Sequence, residues 1–203
     1  MKRWIQAISI GLALTFIISL CGFSYDCDEI RQQVLRLHVL ANSDTEEDQQ
    51  LKLKVRDAVI ETAAGIFDGV RKETDAKSVA ADHLEEINRV AQQAVYDAGY
   101  DYPVAACLTR MYFETREYDA GTMPAGMYDA LRITIGKGAG KNWWCVAFPP
   151  LCVASATDNA ADLSDVLSDT QQEIVEKPQK YEVRFKLVEW MEDIGNKFRE
   201  WTA

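Results

Sequence analysis

The chain has 203 residues, 48% of them hydrophobic and 27% charged, an ordinary globular balance with enough length for a sizeable core. Basic side chains number 22 and acidic ones 32, a formal net charge of −10. Lys2 and Arg3 are the only charges in residues 1–24, so the remainder carries 20 basic and 32 acidic groups, or −12. Such a surface is repelled by phosphate backbones and anionic lipid, which argues against nucleic acid and for basic or neutral protein partners.

Met1-Lys2-Arg3 is a short positive segment, and Ile5 to Leu20 follows without a charge. This is an export signal, and its apolar run is also long enough for an uncleaved anchor. Cleavage after Ser24 would leave Gly22 and Ser24 as small residues at the site. Cys21 invites a lipoprotein reading, but Leu20 stands where a small residue is expected. The expected organisation is a signal peptide or membrane anchor over 1–24 and a single globular domain over 25–203. That domain would lie outside the cytoplasm and meet the membrane only through residues 1–24.

Leu35-Arg36-Leu37-His38-Val39-Leu40 alternates as a strand with Leu35, Leu37 and Val39 on one face. Ala41-Asn42-Ser43-Asp44 turns the chain, and Ser43 and Glu46 have capping-box spacing for a helix start. Glu46, Glu47 and Asp48 precede Lys52, Lys54 and Arg56, which suits the helix dipole. Leu51, Val55, Ala58, Val59 and Ile66 form the buried stripe, with Gly65 and Gly69 at the fraying end. A second helix is predicted from about Ser78 to Ala98, carrying Leu84, Ile87, Ala91 and Val95 and stopped by Gly99.

From Val104 the period becomes that of a strand. One long strand is predicted over Val104–Glu117, a second over Tyr128–Ile135 and a third over Asn142–Phe148, joined as an antiparallel meander. The expected fold class is α+β: an antiparallel three- to four-stranded sheet with two long helices on one face and a short C-terminal helix. Beyond Cys152 the pattern suggests a helix over Leu163–Val175, a break at Pro178, a strand over Tyr181–Val188 and a short amphipathic helix over Glu189–Trp201.

The stretch Asn142 to Cys152 concentrates Trp143, Trp144, Phe148, Pro149, Pro150, Cys145 and Cys152 in eleven residues. Consecutive prolines cannot donate ladder hydrogen bonds, so the strand ends abruptly there. The plain reading is a core strand with a rigid turn. The sharper one is a partner-binding surface built from Asn142, Trp143, Trp144, Phe148, Pro149 and Pro150. Trp143 and Trp144 alternate, so one is expected to face inward and the other outward, with Phe148 on the side of Trp144. Cys145 and Cys152 are near enough in sequence for Pro149-Pro150 to fold them into a disulfide; the alternative is two buried thiols.

No catalytic, metal or cofactor site is expected. The cysteines at 21, 27, 107, 145 and 152 include no Cys-x-x-Cys pair, and His38 and His83 lie far apart. A Cys145–His38 dyad is conceivable in space but carries no signature. Gly136-x-Gly138-x-Gly140 lacks the lysine–serine pair of a phosphate loop and joins strand to strand, so it reads as a turn.

Four blocks resemble the stage II sporulation protein R family. They are Leu37 to Val59, with Ala41-Asn42-Ser43-Asp44 and Lys52-Leu53-Lys54-Val55-Arg56-Asp57; Phe113-x-Thr-Arg-x-Tyr118; Pro124-Ala125-Gly126-x-Tyr128-x-Ala130-Leu131-Arg132; and Leu131 to Cys152 with its glycine-rich loop. Glu114 stands where the family pattern has a proline. The resemblance implies an exported, non-enzymatic signal made in the forespore and delivered to the space between forespore and mother-cell membranes. It also implies the partner, a membrane-bound aspartic-type protease of the sporulation septum that processes the early mother-cell sigma-factor precursor. The competing reading is a secreted cysteine-dependent hydrolase acting on peptides or cell wall.

Overall fold

The structure, a computed structural model, describes residues 2–150 and 163–202. Its centre is a four-stranded sheet of β2 (Val104–Phe113), β5 (Gly126–Ile135), β1 (Leu35–Leu40) and β6 (Asn142–Phe148), in that spatial order. The expected meander is corrected here. β1 inserts between β5 and β6, running parallel to β5 and antiparallel to β6, so the sheet is mixed. All six residues of β1 are buried, as befits a central strand covered on both faces.

One face receives α2 (Glu46–Ile66), α3 (Glu73–Asp82) and α4 (Leu84–Asp97). Leu51, Val55, Val59 and Ala63 of α2 meet Ile87, Ala91 and Val95 of α4 over Leu35, Leu37, Val39, Leu131, Ile133 and Ile135. The single second helix predicted from the sequence is two helices that meet at His83, whose Nδ1 lies 2.9 Å from the Val79 carbonyl oxygen. The α2 cap is Thr45 rather than Ser43; its hydroxyl accepts from the Asp48 backbone N–H.

The opposite face is covered too, against the expectation of helices on one side only. Here α1 (Lys2–Gln32), α5 (Leu163–Val166), α6 (Asp169–Glu176) and α7 (Glu182–Thr202) pack with the hairpin of β3 (Arg116–Tyr118) and β4 (Gly121–Met123). Their core holds Phe23, Cys27, Ile30, Val34, Phe113, Met123, Tyr128, Ile174, Val175, Phe185 and Val188. The predicted strand over Tyr181–Val188 is helix, and the short C-terminal helix is the 21-residue α7. Phe185 and Val188, three apart, are the buried pair, so helical spacing outweighs the alternation of Tyr181, Val183 and Phe185.

β2 stops at Phe113, and the chain leaves the ladder at Glu114-Thr115 before β3 begins. A proline at position 114, as the resemblance leads one to expect, would sit where no strand hydrogen bond is needed.

Candidate functional site

The glycine-rich loop folds back on the turn that follows β1. Gly140 N–H donates to the Ala41 carbonyl oxygen (3.0 Å) and Ala139 N–H to that of Asn42 (3.2 Å). Asn42 Oδ1 accepts from Lys137 N–H (3.0 Å), and Asp44 Oδ1 from Lys141 N–H (2.6 Å). A Cβ at Gly140 would sit 2.1 Å from the Ser43 carbonyl oxygen, so backbone meets backbone there and only glycine fits. Below this junction the buried Asp48 carboxylate accepts from Asn42 Nδ2 (2.8 Å) and Ser43 Oγ. Burial pushes its pKa up, but those donors outweigh burial and hold it below the ordinary carboxylate range. Lys52 Nζ donates to the Lys141 carbonyl oxygen at 3.0 Å. Two motif blocks far apart in sequence thus form one junction that fixes where β6 starts.

β6 is an edge of the sheet: among the described residues no strand lies beyond it. Asn142 is exposed at its first position, opposite Leu40. Trp143 and Trp144 point to opposite faces, and both are half-buried because both faces of the sheet are covered. This replaces the expected inward–outward division. Trp143 packs on the α2–α4 core, with the Arg56 guanidinium 4.3 Å from its ring centroid. Trp144 stacks on His38, centroids 3.9 Å apart and planes within 1°, and meets Phe113 edge-on at 4.8 Å. Arg116, exposed, lies 5.9 Å over the same indole.

Phe148 does not share the side of Trp144. The pairing jumps from Arg36–Val146 to Leu35–Phe148, a bulge at Ala147 that returns Phe148 to the α2–α4 core. Phe148 is fully buried and Pro149 is buried, so these two hold the strand end from inside; Pro150 is half-buried. The Phe148–Pro149 bond is cis. Among the described residues of this stretch, what remains for a partner is Asn142, the half-buried Trp143 and Trp144, and Pro150. Cys145 is buried and disulfide-bonded. Cys152, its predicted partner, lies outside the described residues.

Beneath Trp144 lies a buried polar group that sequence reasoning missed. Arg36 is wholly buried, its guanidinium 4.5 Å from the Phe113 centroid, 4.9 Å from Tyr128 and 5.5 Å from Tyr118. Nε donates to the Cys145 carbonyl oxygen (3.0 Å) and Nη2 to the Tyr118 hydroxyl (2.6 Å), while Nη1 meets hydrogen-bond geometry with none of the described residues. Burial lowers its pKa, and the ring faces supply what a carboxylate usually would. No local signal marked it, because Arg36 and the rings of Phe113, Tyr118 and Tyr128 lie far apart in the chain and meet only in the fold. His38 is pushed down to about 4, first by burial and then by the Arg132 charge. Neither ring nitrogen meets hydrogen-bond geometry with the described residues, and the Asn142 side chain only partly offsets the shift.

This arrangement disposes of the Cys145–His38 dyad. Cys145 pairs with Leu37 across the ladder, so it faces the α2–α4 core, whereas His38 faces Trp144 on the other side. A disulfide-bonded sulfur is also no nucleophile. Among the described residues no group of three His, Cys, Asp or Glu side chains could hold a metal ion.

Fold and site together define an α+β protein with a leader helix of membrane-spanning length and a buried aromatic–arginine centre under an edge strand. The family model of stage II sporulation protein R matches residues 31–158, and the chain belongs to that family. It is similar to the stage II sporulation protein R of Bacillus subtilis (strain 168), at 35% identity over 185 residues that cover 81% of this chain and 83% of that one. No solved structure matches. A role in sporulation follows from the family.

Proposed function

We propose that this protein is the exported signal that switches on a septal, membrane-bound aspartic-type protease, leading to processing of the early mother-cell sigma-factor precursor. The observation that carries the reading is membership of the stage II sporulation protein R family across most of the chain. The leader helix supports export. The start of β6 supports binding as the mode of action: an exposed Asn142, two half-buried indoles and an outer edge free of other described strands offer a partner both aromatic anchors and ladder hydrogen bonds.

Co-expression of this chain, the protease and the sigma-factor precursor in a host lacking all three tests the reading. Precursor cleavage should require the chain and should survive Cys107→Ser, an exposed thiol remote from β6. Cleavage that proceeds equally without the chain would reject it.

A further inference from the structure

The end of the leader is part of the folded core, which separates the two fates left open for an exported chain. α1 runs without a break from Lys2 to Gln32. Its first part, with Trp4, Ile8, Leu12 and Phe16, is exposed and apolar. Residues 3–20 span about 27 Å at 1.5 Å per residue, close to a hydrocarbon core of about 30 Å. From Phe23 the same helix turns inward: Phe23, Cys27 and Ile30, at helical spacing, are 3%, 0% and 0% exposed. Phe23 stacks on Tyr181 (5.5 Å) and meets Phe185 edge-on (5.2 Å).

One turn further, Arg31 locks the helix to the sheet. Its Nη1 donates to the Ala125 carbonyl oxygen, and Nη2 pairs with Asp28 and, at 3.2 Å, with Glu192. A Cβ at Gly126 would lie 2.5 Å from Arg31 Cδ, so the Pro124-Ala125-Gly126 motif is shaped to receive this side chain. Where the helix leaves the core stand Tyr25, 63% exposed, and Arg184, whose guanidinium lies 6.0 Å over the Phe23 ring. Aromatic and basic side chains at that level suit a membrane interface.

We infer that residues 1–24 are retained and that the protein works as a membrane-tethered ligand, with α1 serving as both bilayer anchor and core element of the extracytoplasmic domain. A peptidase cutting after Ser24 must unwind a helix held on both sides of the bond, and the product loses Phe23 from the core. Retention confines the ligand to a membrane surface and fixes the height of β6 above it, which raises its effective concentration toward a membrane partner. The inference rests on the export reading and not on the identity of the protease.

The test is the full chain with a C-terminal tag, produced in a sporulating host, extracted with alkaline carbonate and weighed intact. Retention predicts a carbonate-resistant species whose mass includes residues 1–24. A species beginning at Tyr25, or one released by carbonate, would overturn the inference while leaving any triggering of precursor cleavage intact. Limited proteolysis of the detergent-solubilised full chain checks the core role separately. Phe23→Ala should be cut roughly tenfold faster or more, as loss of a buried aromatic predicts, and Phe16→Ala at the wild-type rate. Equal resistance of Phe23→Ala and wild type would also overturn it.

Discussion

Trp144 shields His38, so cutting Trp144 to Ala should change how the protein responds to acid. His38 is held at about 4, against an ordinary 6.5, chiefly by burial. Between those values the unfolded chain binds a proton that the folded chain refuses. The stability tied to neutral His38 is therefore complete above pH 6.5 and is lost as pH falls toward 4. The drop corresponds to a ceiling of about 3 kcal/mol, and solvent access past a half-buried indole reduces it to about 1–2 kcal/mol. Removing the stacked ring at 3.9 Å lets water reach the imidazole, so its pKa should climb back toward 6.5 and the slope should flatten. At pH 7 the truncation should itself cost about 2–4 kcal/mol, near the low end for a large buried aromatic because the indole is only half-buried. The assay is urea unfolding of the detergent-solubilised full chain at pH 7 and 4.5, with the His38 imidazole followed by NMR; His83 supplies the only other resonance. His38→Phe should remove this slope, whereas the depressed pKa of Asp48 costs stability only at lower pH, below its ordinary 3.8. A wild-type His38 titrating near 6.5, or one unmoved in Trp144→Ala, would refute the reasoning.

Three further outcomes follow from the same packing. Gly126→Ala should destabilise by about 2–4 kcal/mol, combining a strained positive φ with displacement of Arg31, and chemical unfolding should show part of that loss absent on an Arg31→Ala background. Asp48→Ala should cost about 2–3 kcal/mol by stranding Asn42 and Ser43, and should speed hydrogen exchange at the Lys137 and Lys141 amides that the junction protects. Arg36→Ala should cost about 3 kcal/mol or more, whereas Arg36→Met, which refills the space without an unpaired Nη1, should lose far less by the same measurement.

α2 and α4 were legible because their apolar residues recur at helical spacing, and α2 needed only a shift of cap from Ser43 to Thr45, whereas the break at His83 and the first turns of α7 were misread. The sheet order was not. Leu35, Leu37 and Val39 announce a buried face, but nothing local says that the strand bearing them pairs in parallel with a segment more than ninety residues on. Parallel pairing is decided by crossover and packing, which are long-range. The Ala147 bulge was equally hidden: one extra residue reverses the side of Phe148 without altering composition. The anchoring turn of α1 did leave a mark, since Phe23, Cys27 and Ile30 stand at i, i+4 and i+7, but the boundary read at Ser24 cuts that pattern between Phe23 and Cys27. At the candidate site the Trp143–Trp144 pair and its motif neighbours were visible in the sequence. The Arg36 cage was not, because an arginine inside a central strand becomes plausible only when three rings from β2, β3 and β5 converge on it.

On the proposed function, the chain acts by touching a membrane-bound protease through the start of β6. A photo-crosslinking amino acid placed at Asn142, Trp143 or Trp144, in cells that also carry the protease and the sigma-factor precursor, measures that contact directly. A covalent adduct with the protease is expected from the exposed position 142 at the least, formed only where precursor cleavage is triggered. Cleavage at wild-type level with no adduct from any of the three positions would contradict it.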